Sequence, residues 1–132
     1  MAEGLSTTLV SNWLNTLRAA GAAFGPVAAE YAQLHTANPG AAGTTAISVG
    51  STTRVILTHA ASSAGSALAL TGTNPAWTNG GTSETITDIS VWTASSGGTF
   101  LFSVALTASK AWASGDTFTL NSLGVSLAAQ AS

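Results

Sequence analysis

Apolar residues recur every four positions at the start of the chain and every two further on. In GLSTTLVSNWLNTLRAAGAAFGP, Leu5, Leu9, Trp13 and Leu17 fall on one stripe, with Val10 and Leu14 beside it. That spacing predicts an amphipathic helix. Ser6 stands where an N-cap belongs, and Gly21 where a helix stops, ahead of a turn ending at Pro26. The stripe can pack on the protein's own sheet or dock on a neighbouring subunit.

Past Pro26 the texture changes to short runs separated by Gly, Ser, Asn and Thr. AEYAQLHT predicts a strand that runs into an Asn-Pro-Gly turn. TRVILTHA alternates Val55, Leu57 and His59 against Arg54, Ile56 and Thr58, and SALALTG predicts a further short strand. TNPAWTNGGTSE, with Pro75, Trp77 and paired glycines, predicts a loop. TITDISVWTA places Ile89 and Val91 on one face and Asp88, Ser90 and Trp92 on the other. SSGG predicts a hairpin turn into TFLFSVAL, where Phe100, Phe102, Val104 and Leu106 share a face. SGDT predicts another turn, feeding FTL, and LGVSL alternates Leu123, Val125 and Leu127.

One helix followed by turn-punctuated strands predicts a mainly β protein: an antiparallel β-sandwich with an N-terminal amphipathic α-helix. The expected division is an arm and helix over 1–26 and the sandwich over 27–132, one compact domain overall. A chain of 132 residues buries roughly two-thirds of its unfolded surface, enough for a core without staples. No internal repeat is visible, which argues against a solenoid.

Composition narrows the partners. Only 6% of residues are charged and the formal net charge is −2, against about 25% charged residues in ordinary domains. Arg18, Arg54 and Lys110 are far apart in sequence. No basic cluster is present to release counterions from nucleic acid or to hold an anionic membrane surface. No run of apolar residues is long enough to span a bilayer, and the first residues lack the pattern of a secretory signal. The expectation is a protein made in a cytoplasm, with a charge-poor surface suited to contact with copies of itself or with a larger assembly.

Catalytic and metal chemistry find no pattern. His35 and His59 are the two histidines, cysteine is absent, and no short ligand spacing joins them; each reads as a structural histidine at a strand end. No Gly-x-Ser-x-Gly elbow and no phosphate-cradling loop with a lysine occurs. Glu84 and Asp88 share a strand face at a separation unsuited to a retaining glycosidase pair. Asp116, in SGDT, reads as a turn residue. No catalytic residue, cofactor or metal ligand is expected.

The tryptophans are the remaining candidates. Trp13 and Trp92 read as core residues on the helix stripe and on a strand. Trp77 and Trp112 fall in or beside predicted loops, where an indole can anchor a subunit contact or stack on a sugar. Leu5, Leu9, Trp13, Trp77 and Trp112 are therefore the candidate partner-contact residues.

Three phrases in order, AEGLSTTLVSNWLNTL, AEYAQLHTANPGAAGT and TDISVWTASSGGTFLFSVALTASKAWASGDTFTL, resemble small virion structural proteins of tailed phages that infect actinobacteria. Such proteins carry the name tail fibre protein. The resemblance runs from Ala2 to about Leu127. The chain departs from the pattern at Trp112, where a smaller residue precedes SGDT, and in the approach to the strand at Arg54. The resemblance implies a non-enzymatic capsid decoration or minor capsid protein on the capsid exterior. It would bind the major capsid protein and copies of itself, as a homotrimer that stabilises the shell. The alternative it leaves is a tail fibre or receptor-binding module that recognises host surface glycan.

Overall fold

The computed structural model describes residues 3–18, 25–62 and 68–127, and its first regular element begins where Ser6 offers a cap. Helix α1 (Thr7–Thr16) starts with Ser6 in an extended conformation, its Oγ accepting the Leu9 N–H at 3.2 Å. The same hydroxyl donates to the Phe100 carbonyl at 2.7 Å, and the Ser6 N–H donates to the Leu101 carbonyl at 2.7 Å. One residue thus caps the helix and fixes it to the body of the protein. Leu9 is buried, and Leu5 and Trp13 pack beside it against the core. The helix ends at Leu17, whose N–H bonds back to Leu14 and Asn15. Gly21, the expected stop, lies outside the described residues.

Seven strands follow among the described residues: β1 (Glu30–His35), β2 (Val55–His59), β3 (Leu70–Thr71), β4 (Ala76–Thr78), β5 (Glu84–Trp92), β6 (Phe100–Trp112) and β7 (Thr117–Thr119). Five of them form one sheet in the order β3-β2-β1-β5-β6, and β4 pairs with β7 in a second. Every pairing is antiparallel. The protein is mainly β and sandwich-like, with one short N-terminal helix among the described residues, as its alternating pattern predicts.

The two faces of the large sheet differ in chemistry. Ala32 and Leu34 of β1 lie opposite Val91 and Ile89 of β5, and all four are fully buried in the apolar core with Leu57 and Phe102. Gln33 and His35 lie opposite Ser90 and Asp88, so the other face carries polar side chains, and these are buried too. Buried polar groups need partners, and the β1–β2 connection supplies many of them. It is tied to the sheet through the Thr36 and Ser48 N–H groups, which donate to Ala46 and Leu34. Gly43, at φ 72°, comes so close that a Cβ there would lie 2.6 Å from Phe100 and 2.9 Å from Trp92. Only glycine meets both the backbone angle and the space.

Irregularities in the β5–β6 ladder correct two expectations. The register shifts between Val91 and Trp92, which puts Phe100 opposite Trp92 while Phe102 stays opposite Val91. Phe100 therefore packs on Trp92, with ring centroids 5.3 Å apart, on the face away from Phe102. A bulge inserts a residue and reverses the alternation beyond it. The second shift, between Ile86 and Asp88, lets β6 run on to Trp112. Trp112 ends that strand and is buried. TNPAWTNGG is likewise no simple loop: Ala76–Thr78 pairs with β7, and Trp77 is only 3% exposed. Both indoles meet Phe118 edge-on, at centroid distances of 5.9 and 6.3 Å. Such T-shaped contacts add about 0.5–1.5 kcal/mol each beyond area burial.

Candidate interaction surface

Most of the described titratable groups serve the protein's own architecture. His35 is fully buried at the end of β1, its Nδ1 2.7 Å from the Thr45 carbonyl and its Nε2 2.7 Å from Ser90 Oγ. A carbonyl only accepts, so Nδ1 carries the proton and Nε2 accepts the Ser90 hydroxyl. Ser90 in turn accepts the Trp92 indole N–H at 2.8 Å. The relay closes with a neutral ring. Burial holds the His35 pKa below its ordinary 6.5, outweighing the Thr45 carbonyl, which favours the charged form. His59 ends β2 and faces two acceptors, Glu30 at 2.6 Å and the Leu123 carbonyl at 3.1 Å. It ties the strand edge to the segment after β7.

Arg54 lies over the Trp92 ring, 3.7 Å from its centroid, and donates to Gln33, to the Ala94 carbonyl and to the Gly97 carbonyl. It fastens the β5–β6 turn to β1. At the opposite end of β5, Glu84 accepts from Ser48 Oγ, from the Val49 and Gly50 N–H groups and from the Trp112 indole N–H. Burial raises its pKa, and these donors lower it by more, so it stands below the ordinary 4.5. Asn79 completes this corner: its amide donates to the Thr82 and Trp112 carbonyls and accepts the Gly81 N–H. Among the described residues no three His, Asp or Glu side chains converge as a ligand set.

Several large apolar residues remain exposed to a partner. Of the candidate contact residues, Leu9, Trp77 and Trp112 are buried within the chain, and Leu5 and Trp13 are half-buried against its core. The burial of Trp77 and Trp112 leaves neither indole face free for a sugar or a subunit. Leu9 faces inward because the stripe packs on the protein's own sheet. Leu14, beside the stripe, and Leu17, its last member, face outward, 60% and 83% exposed. With Trp13, Pro26 and Val27, Leu17 borders a shallow groove of about 490 Å³. A second groove, about 880 Å³, runs between the outer part of β6 and the chain after β7, lined by Leu70, Val104, Leu106, Phe118 and Leu120 with Lys110 among its polar members. Leu14 and Leu17 were legible in the sequence as members of the apolar set. Which edge of that set would be covered was not.

The profile of a protein family described as "Podophage GP4 fiber I protein gp80" matches residues 4–128, a span that takes in α1 and all seven strands. The chain belongs to that family. It is a phage virion structural protein. No curated protein matches the chain.

Proposed function

We propose that the protein is a non-enzymatic structural subunit of a virion fibre that assembles with copies of itself. The observation that carries this reading is the fibre-family match over residues 4–128, nearly the whole chain. The surface agrees with it. A protein with 6% charged residues lacks the repulsion that keeps subunits apart. Its described titratable groups are largely engaged inside its own fold, where they support packing and leave no arranged nucleophile, base or oxyanion donors.

The contact is assigned to the exposed edge of the helix set, Leu14 and Leu17, with Trp13 and Val27 at their side. Leu5 and Leu9 support it from beneath by fixing α1 on β6. A homotrimer remains the expected assembly. Light scattering on the purified protein tests the assignment: Leu14→Asp with Leu17→Asp should give a folded monomer. An unchanged oligomer would remove the helix edge from the interface.

Placement on the particle is tested by gold-labelled antibody on intact virions. Label on the tail appendages is the expected result. Label spread over the head would replace the fibre assignment with capsid decoration, the arrangement in which a shell-stabilising trimer contacts the major capsid protein. Recognition of host glycan, if the fibre performs it, requires residues other than Trp77 and Trp112.

A further inference from the structure

β6 leaves its ladder part-way along. Ile86 pairs with Lys110 and Asp88 with Ala105, so four residues of β6, 106–109, stand opposite Thr87 alone. A bulge bends its strand and re-aims the side chains on it. β7, next along the chain, pairs with β4 and not with β6. The groove of about 880 Å³ lies where these two strands part. Its floor reaches the hydrophobic core: Ile89, Phe118 and Leu120 are buried there, and Val104 and Leu106 pack beside them.

The rim has the opposite character. Thr107, Thr117, Thr119 and Asn121 are exposed along it, and Lys110 is the one charged residue among the described residues that borders it. Lys110 is also the chain's single lysine. The described carboxylates are placed elsewhere. Glu30 pairs with His59, Glu84 accepts from Trp112 and the 48–50 loop, and Asp88 takes the Thr87 hydroxyl. Glu3 accepts the Asn38 amide, and Asp116 the Ala113 N–H. None of them lines the groove. An apolar floor with one cation and no anion at its mouth is complementary to a ligand with a tail and one negative charge. The volume falls within the range of about 300–1,000 Å³ usual for small-molecule sites.

We propose that this groove binds a single-chain amphiphilic anion of the fatty-acid type, its aliphatic tail on Val104, Leu106 and Phe118 and its carboxylate at Lys110. The tail takes the place of water on apolar surface. The head stays at the rim, where Lys110 and solvent share its charge and no ion is buried. A sugar suits the floor less well, because Phe118, the ring that lines it, is 7% exposed and offers no open face. The helix edge of a second copy suits it less well too, since Arg18, exposed just past α1, would bring another cation to Lys110. The site rests on the groove's own chemistry and holds whether the protein belongs to a fibre or to a head.

The test titrates the full chain with sodium octanoate and sodium decanoate, below their micelle concentrations, by calorimetry. The expected Kd for decanoate is on the order of 1 mM, about tenfold tighter than for octanoate. Backbone amide resonances of Leu106, Thr107 and Thr119 should move as decanoate is added. Lys110→Gln should weaken decanoate about threefold and leave the uncharged amphiphile octyl glucoside unaffected. Thr119→Glu, which sets a carboxylate on the exposed rim, should weaken decanoate by at least as much. Leu14→Asp with Leu17→Asp should bind decanoate as the parent does. A parent that shows no response at about 10 mM decanoate overturns the site. Octyl glucoside bound as tightly as decanoate, with Lys110→Gln and Thr119→Glu both neutral, assigns the groove to an uncharged partner and overturns the proposal. Loss of binding in the Leu14 and Leu17 variant puts the amphiphile on the helix edge and does the same.

Discussion

Glu84 and Asp88 stand four residues apart on β5 and are solvated by the protein in opposite ways. Glu84 collects four donors from two separate segments, the 48–50 loop through a hydroxyl and two backbone N–H groups and β6 through an indole. Asp88 receives one hydroxyl, from its own neighbour, through one of its two oxygens. The first is a closed corner, in which a charge is held by groups aimed at it before any partner arrives. The second is open, with one buried oxygen that no group addresses. A carboxylate saturated with donors stabilises a fold, while one left short of them is available to bind something.

The largest expected effect comes from removing the cover of the closed corner. Trp112→Ala empties a buried site against Phe118 and takes a donor from Glu84, and should cost about 4 kcal/mol in urea unfolding. Trp112→Phe separates the two contributions, since it keeps most of the packing and loses only the N–H. Glu84→Ala leaves the Ser48, Val49, Gly50 and Trp112 donors facing a void and should cost about 3 kcal/mol. A loss below about 1 kcal/mol would show that water replaces the carboxylate, and the corner would then be no more closed than the Asp88 end.

Gly50→Ala tests the same corner from the backbone side. A Cβ there would lie 2.6 Å from Asn79 Oδ1 and 2.7 Å from its Cγ. The amide that braces Trp112 must move, at a cost of about 2 kcal/mol. The acid dependence sharpens the comparison further. His35 has a lowered pKa, so the unfolded chain takes up its proton first. The neutral ring's contribution is present above pH 6.5 and declines as pH falls from there towards the folded pKa. Glu84, also lowered, contributes fully above its unfolded value of 4.5 and loses that contribution as pH falls through its folded pKa. Unfolding midpoints measured from pH 8 to pH 3 should fall in two stages, and Glu84→Gln should flatten the lower one.

The smallest change is expected at the open end. Asp88→Asn should alter stability by no more than about 1 kcal/mol, because it keeps the shape and takes a charge from an oxygen that has no partner. A loss comparable to that of Glu84→Ala would mean that Asp88 has ionic partners equal to those of Glu84, and the contrast between the two ends would fall.

Much of the fold was legible along the chain because its signals are local. Ser6 caps α1 where its position predicted, since an N-cap needs only the following turn. β1, β2 and the body of β5 follow the two-residue alternation, with Ile56 outside and Leu57 inside as the pattern requires. The SSGG turn uses Gly97 and Gly98 at positive φ, and Asp116 accepts the Ala113 N–H across its own turn. Both histidines stand at strand ends in structural roles. Trp77 was misread because its strand has three residues and its partner, β7, lies forty residues further on. No short window contains that pairing. Phe100 was misplaced because a bulge reverses alternation without any residue type that announces it.

The sequence by itself determined the mainly β class, the leading helix, the turn positions and the scarcity of charge, because propensity, capping and periodicity act between near neighbours. It also pointed to a phage virion structural protein, through the order of its phrases. Only the tertiary structure decided which edge of the helix stripe stays exposed, where four tryptophans are placed, and that Glu84 is surrounded by donors while Asp88 is not. Those outcomes depend on segments distant in sequence, such as the 48–50 loop against β5 and the arm against β6. Their contacts exist only once the chain has closed on itself.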